Sequence, residues 1–142
     1  MTARHIIHIC SFLLLAFAAP IQSLAADKSE KEAQAAAEQW LALIDAGQFA
    51  ESWRATAAVF QAAVSEPQWQ SSLESVRKPL GSLVSRKLKS AKYTQTLPGA
   101  SDGEYVVLQF ATSFTKKKEA VETITPLLDK DGKWKVSGYF IK

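Results

Sequence analysis

The sequence predicts an α+β fold in which three N-terminal helices pack on a four-stranded antiparallel sheet. In the first half of the chain, apolar residues recur at helical spacing, and from Leu83 onward they alternate with polar ones. Turn sequences divide the second half into consecutive short segments, which favours a meander. Helices that precede an antiparallel sheet in this way are expected to cover one of its faces.

Residues 1–25 are predicted to form a signal peptide. A short basic start with Arg4 leads into an apolar stretch, Ile6 to Ala19, shorter than the roughly 20 apolar residues that span a bilayer. Small residues at Ser23-Leu24-Ala25 favour cleavage after Ala25, with cleavage one residue later as the alternative. We therefore expect a periplasmic or secreted protein without a transmembrane segment after cleavage. An uncleaved membrane anchor is the competing interpretation.

Cleavage would leave one domain, residues 26–142, that lacks three reactive residue types. Both histidines, the single cysteine and the single methionine lie within the first ten residues. Disulfides, Cys/His zinc sites, nucleophilic triads that use His, and haem ligation are thereby excluded. We expect no metal and no cofactor. The remaining 16 basic and 14 acidic residues give a net charge of +2, too small to indicate a nucleic-acid partner.

The three predicted helices have recognisable ends. The first is expected to begin at Ser29, an N-cap with Glu32 three residues later, and to end at Gly47; the second follows directly. The third is expected to begin near Pro67 and to end at Gly81. The predicted inward faces are, in chain order, Ala33, Ala36, Ala37, Trp40, Leu41 and Ile44; Phe49, Trp53, Ala57 and Phe60; Trp69, Leu73, Val76 and Leu80.

Four strands are predicted, at residues 86–97, 104–114, 120–128 and 134–141. The apolar parity of the first strand is interrupted, which predicts a β-bulge near Lys89. Tyr139 and Ile141 are assigned to the face turned away from the helices, together with Val107, Val121 and Leu127. Such a partly apolar face needs a cover. A homodimer through the open sheet face is one prediction, and a long N-terminal helix or loop across that face is the other.

Three stretches carry a family resemblance. They are residues 40–53 (WLALIDAGQFAESW), 98–107 (PGASDGEYVV) and 127–139 (LLDKDGKWKVSGY), and with them nearly the whole chain after the signal resembles the bacterial domain-of-unknown-function family 4019. The resemblance implies a secreted protein and assigns no catalytic residue. The element order is also similar to the nuclear-transport-factor-2-like superfamily, which implies a cone-shaped domain with a curved sheet. That superfamily includes both cavity enzymes and binding modules.

Two glutamates are the candidate acids or bases of a cavity enzyme. Glu122 shares its parity with Ile124, and Glu104 begins the face of Val106, so either would acquire a raised pKa if it pointed inward. Exposed positions at strand ends or edges are the alternative for both. The candidate hydrogen-bond donors beside them are Tyr93, Tyr105 and Tyr139.

The four tryptophans are a second set of residues that could line a ligand cavity. Each falls on the inward face of its own element, so they either line an apolar ligand cavity or fill the core: Trp40, Trp53, Trp69 and Trp134. A filled core would remove both the ligand cavity and the cavity enzyme.

A basic rim is the candidate binding site. In a meander the start of the first strand lies beside the end of the second, which groups Arg86, Lys87, Lys89, Lys116, Lys117 and Lys118, with Lys142 at the same end. The rim would dock on anionic lipid headgroups or acidic envelope polymers; the alternative is that these lysines only prevent edge pairing. The sequence favours an exported, non-enzymatic binding or accessory module of the bacterial envelope. A small cavity enzyme that uses Glu or Asp with Tyr is the alternative.

Overall fold

The computed structural model describes residues 21–142, and within them the predicted α+β class and the four-stranded meander are confirmed. The helices are α1 (Ile21–Asp45), α2 (Phe49–Arg54), α3 (Ala58–Ala63) and α4 (Glu66–Arg77), followed by a 3₁₀ turn at Lys78–Leu80. The strands are β1 (Leu83–Thr94), β2 (Tyr105–Phe114), β3 (Lys117–Leu128) and β4 (Trp134–Ile141), in the sheet order β1-β2-β3-β4. Residues 1–20, which hold most of the predicted signal peptide, lie outside this range.

Helix α1 is longer than the sequence predicts. It begins at Ile21 and passes through Ser29, so Ser29 is not an N-cap in this chain. Nothing between Ile21 and Ser29 breaks a helix, and two alanines there favour it. The helix contacts all four strands. Its predicted inward face is confirmed at five of six residues, with buried side chains at Ala33, Ala37, Trp40, Leu41 and Ile44, while Ala36 is half-buried.

The predicted second helix is divided into α2 and α3. The hydroxyl of Thr56 donates to the carbonyl of Trp53, three residues earlier in the chain, at 2.6 Å. Ala57 is extended, and its amide donates to the carbonyl of Val136 on the edge of β4 at 2.8 Å. Because this amide serves the sheet edge, it cannot continue the helical hydrogen bonds, and the described chain has four helices instead of three.

Helix α4 begins with a capping box between Ser65 and Gln68, close to the predicted start. Trp69 and Leu73 are buried as predicted, but Val76 is 47% exposed and Arg77 takes the inward position. The prediction for Val76 was wrong because the buried residues follow a spacing of four, which continues to Arg77. The buried guanidinium of Arg77 donates from Nη2 to Asp45 and stacks on the ring of Phe114, while its Nε and Nη1 have no hydrogen-bond partner among the described residues.

Two of the four register shifts in the sheet bear on the predictions made from the sequence. The bulge predicted near Lys89 is confirmed, since Leu88 pairs with Phe110 and Ser90 with Gln109. A second bulge lies in β4, where consecutive residues of β3 pair with Gly138 and Val136 and leave Ser137 unpaired. It reverses the parity of the end of β4.

The assignment of Tyr139 and Ile141 to the outer face is therefore wrong. Tyr139 pairs with Ile124 and Ile141 pairs with Glu122, on the face turned toward the helices. Strand bounds also differ by about three residues at β1 and β3. In particular, β3 begins at Lys117, because the hairpin continues through the lysine run.

Aromatic side chains fill the space between helices and sheet. Trp40 lies 5.2 Å from Tyr139 and 6.0 Å from Trp69, measured between ring centroids, and Phe60 lies 5.1 Å from Trp69. Phe110 and Leu108 close the core from the sheet side. Trp53, Phe60 and Trp134 pack against this cluster. The core is thus built from the residues that would otherwise have lined a cavity.

Candidate functional site

Glu122 is the inward-facing carboxylate of the sheet. It lies on β3 with none of its surface exposed, and it accepts four hydrogen bonds. Arg86 donates to it from Nε at 2.6 Å and from Nη2 at 3.2 Å. The hydroxyls of Thr112 and Tyr139 each donate to it at 2.6 Å. Every strand of the sheet therefore contributes to one buried carboxylate.

The pKa of Glu122 is lowered, against the expectation of a raised one. Burial by itself raises this pKa, but the hydrogen bonds from Arg86, Thr112 and Tyr139 outweigh it and hold the carboxyl below its ordinary value of 4.5. Burial and the charge of Glu122 raise the pKa of Tyr139, so its hydroxyl stays protonated and donates. Glu122 is thus an ionised structural acceptor at neutral pH.

Asp45 and Arg77 extend this contact into a charge network of four residues, Asp45, Arg77, Arg86 and Glu122. Arg86 donates to Asp45 at 2.7 and 3.0 Å, and Arg77 donates to Asp45 at 2.8 Å. The guanidinium of Arg77 also stacks 4.3 Å from the ring centroid of Phe114. Two positive and two negative charges balance, and the network joins the ends of α1 and α4 to the sheet. No pattern in the sequence indicated Asp45, whereas the spacing of four after Leu73 could have identified Arg77.

Glu104, the other candidate acid, lies away from the charge network. Glu104 is half-buried at the opposite end of the sheet and accepts from the hydroxyl of Tyr93 at 3.0 Å. Burial and this hydrogen bond raise the pKa of Tyr93. Tyr105 donates to the carbonyl of Ser101 at 2.7 Å. Each glutamate therefore accepts from one of the predicted tyrosines, Glu122 from Tyr139 and Glu104 from Tyr93, whereas Tyr105 contacts neither.

The tryptophan N–H groups are used within the core. Trp40 donates to the carbonyl of Ser52 at 2.8 Å, and Trp69 donates to the hydroxyl of the same residue at 2.9 Å. Trp53 donates to the carbonyl of Val64 at 2.7 Å. Ser52, which the sequence did not single out, is a buried acceptor for two of the four indoles. Five pockets of about 200 to 680 Å³ all open on the surface.

The residues of the predicted basic rim separate into three groups. Arg86 points inward to the charge network. Lys116 and Lys117 lie at the β2–β3 turn, where the amide of Lys116 donates to the carbonyl of Leu80 at 3.0 Å. Lys87, Lys89 and Lys118 are exposed and line one pocket on the sheet face away from the helices, together with Lys142. We name that surface the outer face and this pocket the lysine trough.

The register explains the shape of the lysine trough. Lys87, Ala111, Val121 and Lys142 lie side by side, one on each strand or at its end, so that long side chains flank short ones. Ser85 pairs with Ser113 in the neighbouring row. The resulting trough measures about 440 Å³, and among the side chains of its lining Glu119 carries the one carboxylate.

The acidic end of the sheet has structural contacts of its own. Asp129 accepts from the first amide of α3, that of Ala58, at 3.0 Å, and Asp131 pairs with Lys135 at 2.8 Å. The backbone hydrogen bond from Ala58 lowers the pKa of Asp129. Within residues 21–142, no three His, Cys, Asp or Glu side chains come together as metal ligands. The same range contains no helix with the length and apolar character needed to cross a membrane.

A family model described as "Protein of unknown function (DUF4019)" matches residues 36–139, from the middle of α1 to the end of β4. The matched range contains the four residues of the charge network and all of the lysine trough except Lys142. No curated protein and no solved structure matches the chain.

Proposed function

The chain belongs to the DUF4019 family of proteins of unknown function, and we propose that it is an exported, non-enzymatic binding module of the bacterial envelope. Its binding surface is the outer face, and its partner is anionic. The lysine trough is the observation that carries this proposal. Four exposed lysines surround it, and the ion pairs found among residues 22–142 involve none of them.

The state of Glu122 argues against the cavity enzyme. A general base needs an open path to its substrate and a proton affinity suited to neutral pH. Glu122 is fully buried, holds four donors and has a lowered pKa. Tyr139 lies beside it, as the enzyme hypothesis asks, but that hydroxyl donates into the charge network and its ring packs against Trp40.

The outer face bears on the homodimer predicted from the sequence. A homodimer that placed the two lysine troughs opposite each other would bring like charges together in its interface and is disfavoured, but this repulsion does not apply to other orientations of sheet on sheet. The second bulge has also moved Tyr139 and Ile141 to the inner face, while Phe140, which pairs with Thr123 and is 55% exposed, lies on the outer face. An anionic partner satisfies the lysines, whereas a second trough placed opposite them repels them.

The N-terminal turns of α1 support export. Residues 22–25 are exposed, and the first fully buried side chain of the helix is Ala33. Among the described residues, cleavage after Ala25 would therefore remove only exposed side chains, those of residues 22–25. Export would place the lysine trough where acidic envelope polymers are found.

Binding of fluorescently labelled poly-L-glutamate, followed by anisotropy, tests the proposal. We expect K87Q/K89Q to weaken binding at low salt, and added salt to weaken binding by the unaltered protein, because the attraction is screened. The matched control is K130Q/K133Q, which removes two exposed lysines at the other end of the sheet. Equal effects of both pairs, or binding that is insensitive to salt, would overturn the proposal.

A further inference from the structure

We propose that the lysine trough selects an acidic polysaccharide: a chain of hydroxyl-bearing sugar units that carry oxyanion groups. This inference rests on the proposed function of the outer face and names the class of its partner. Three features of the trough support it: the separation of its lysines, its floor of short side chains, and the polar groups placed among the lysines.

The lysines stand on both sides of the trough. Lys87 and Lys142 end one row across the sheet, separated by three strand spacings, or roughly 14 Å between backbones. Lys89 and Lys118 lie in the same lining. An anion between these walls meets positive charge from both sides, which a single row of edge lysines would not provide.

The floor favours a narrow chain over a membrane. Ala111 and Val121 form the centre of the row, and their side chains are much shorter than those of the flanking lysines. A flat bilayer surface would rest on the lysine tips and leave the floor empty. A single polymer strand can enter the trough, whose volume of about 440 Å³ is within the range of small-ligand sites.

The polar groups favour a sugar over a simple polyanion. Ser85 and Ser113 are cross-strand neighbours. A serine hydroxyl is able both to donate and to accept a hydrogen bond. Glu119 is an acceptor when ionised, so it repels a bare polycarboxylate but accepts hydrogen bonds from hydroxyl groups. Lysines that bind oxyanions, beside acceptors that bind hydroxyls, match a ligand that has both groups on each unit.

The test compares three probes at one ionic strength: polygalacturonate, poly-L-glutamate of similar charge and length, and phosphatidylglycerol vesicles. We expect polygalacturonate to bind about tenfold more tightly than poly-L-glutamate, the equivalent of roughly one good hydrogen bond to a charged group. E119Q should strengthen poly-L-glutamate binding and reduce the preference. S85A/S113A should weaken polygalacturonate binding about fivefold and leave poly-L-glutamate unchanged. S71A/S75A, at exposed serines of α4, is the matched control.

The outcomes separate this inference from the proposed function. Equal affinity for the two polymers, with the lysine dependence retained, overturns the choice of a polysaccharide and leaves anion binding in place. Tighter binding to the vesicles than to either polymer overturns it in favour of a membrane partner. Failure of all three probes to show lysine-dependent binding overturns the proposed function itself.

Discussion

Replacing Arg86 by methionine would leave a buried charge without its partner. Methionine is flexible and fills the space with apolar atoms, while Glu122 keeps only the hydroxyls of Thr112 and Tyr139. Removal of one member of a buried ion pair costs about 3–5 kcal/mol. Solvent screening does not reduce this figure much, since the side chain of Arg86 is 12% exposed and that of Glu122 is 0% exposed. The loss is a large part of a typical unfolding free energy of about 5–15 kcal/mol.

The stability of R86M should also depend on pH, in a direction set by the pKa of Glu122. In the unaltered protein the folded pKa of Glu122 lies below 4.5, so its stabilisation is complete above pH 4.5 and is lost as the pH falls through the folded value. In R86M, burial without a cation raises the folded pKa above the unfolded one. The folded variant then binds the extra proton, and R86M should gain stability as the pH is lowered from 7 toward 5.

Urea unfolding followed by tryptophan fluorescence measures both effects. With a slope of about 2 kcal/mol per molar urea, the midpoint of R86M should fall by roughly 1.5–2.5 M at pH 7. The difference from the unaltered protein should narrow at pH 5. R86M/E122Q should be more stable than R86M at pH 7, because glutamine carries no charge and can still accept from Thr112 and Tyr139. A midpoint within 0.5 M of the unaltered protein, or a difference that does not change with pH, would refute the reasoning.

Three further predictions concern the backbone and the helix ends. G81A should lower the melting temperature more than G99A. Both glycines have a φ near +77°, but only at Gly81 would the new methyl meet the hydroxyl of Thr115. Equal losses of melting temperature would contradict this. Deletion of residues 1–25 should change the unfolding free energy by less than about 1 kcal/mol, because α1 first packs well beyond that point; a larger loss in urea unfolding would contradict it. D129A should cost about 1 kcal/mol by leaving the first amide of α3 uncapped. The hydrogen bond from Ala58 holds the folded pKa of Asp129 below 3.8, so the difference should shrink as the pH falls from 3.8 through that lower value.

The sequence predicted the sheet better than the helices. Alternation in β2, the interrupted parity of β1 and the turn residues between the strands are local patterns, so the strand order and the bulge near Lys89 followed from them. The break at Thr56 and Ala57 did not, because its cause is a hydrogen bond to Val136 on the last strand. Helix propensity depends only on residues that are neighbours along the chain, and no neighbour of Ala57 indicates that its amide leaves the helix.

The candidate site was likewise predicted only in part from the sequence. The sequence identified Glu122 and Tyr139 as possible partners, and the structure joins them at 2.6 Å. It did not predict that Arg86 would leave the basic rim and lower the pKa of Glu122. An expectation of burial alone gave the wrong direction for this pKa, since a cation from another strand outweighs desolvation.

By itself the sequence determined the fold class, the meander and the gathering of lysines at one end of the sheet. Each of these follows from periodicity and turn residues within a few positions of each other. Only the tertiary structure decided which residues face inward and which charges are neutralised. Arg86 is 36 positions from Glu122 and 41 from Asp45, and an ion pair over such a separation leaves no local pattern. The bulge at Ser137 likewise depends on how β4 pairs with β3, and it set the composition of the outer face on which the proposed function depends.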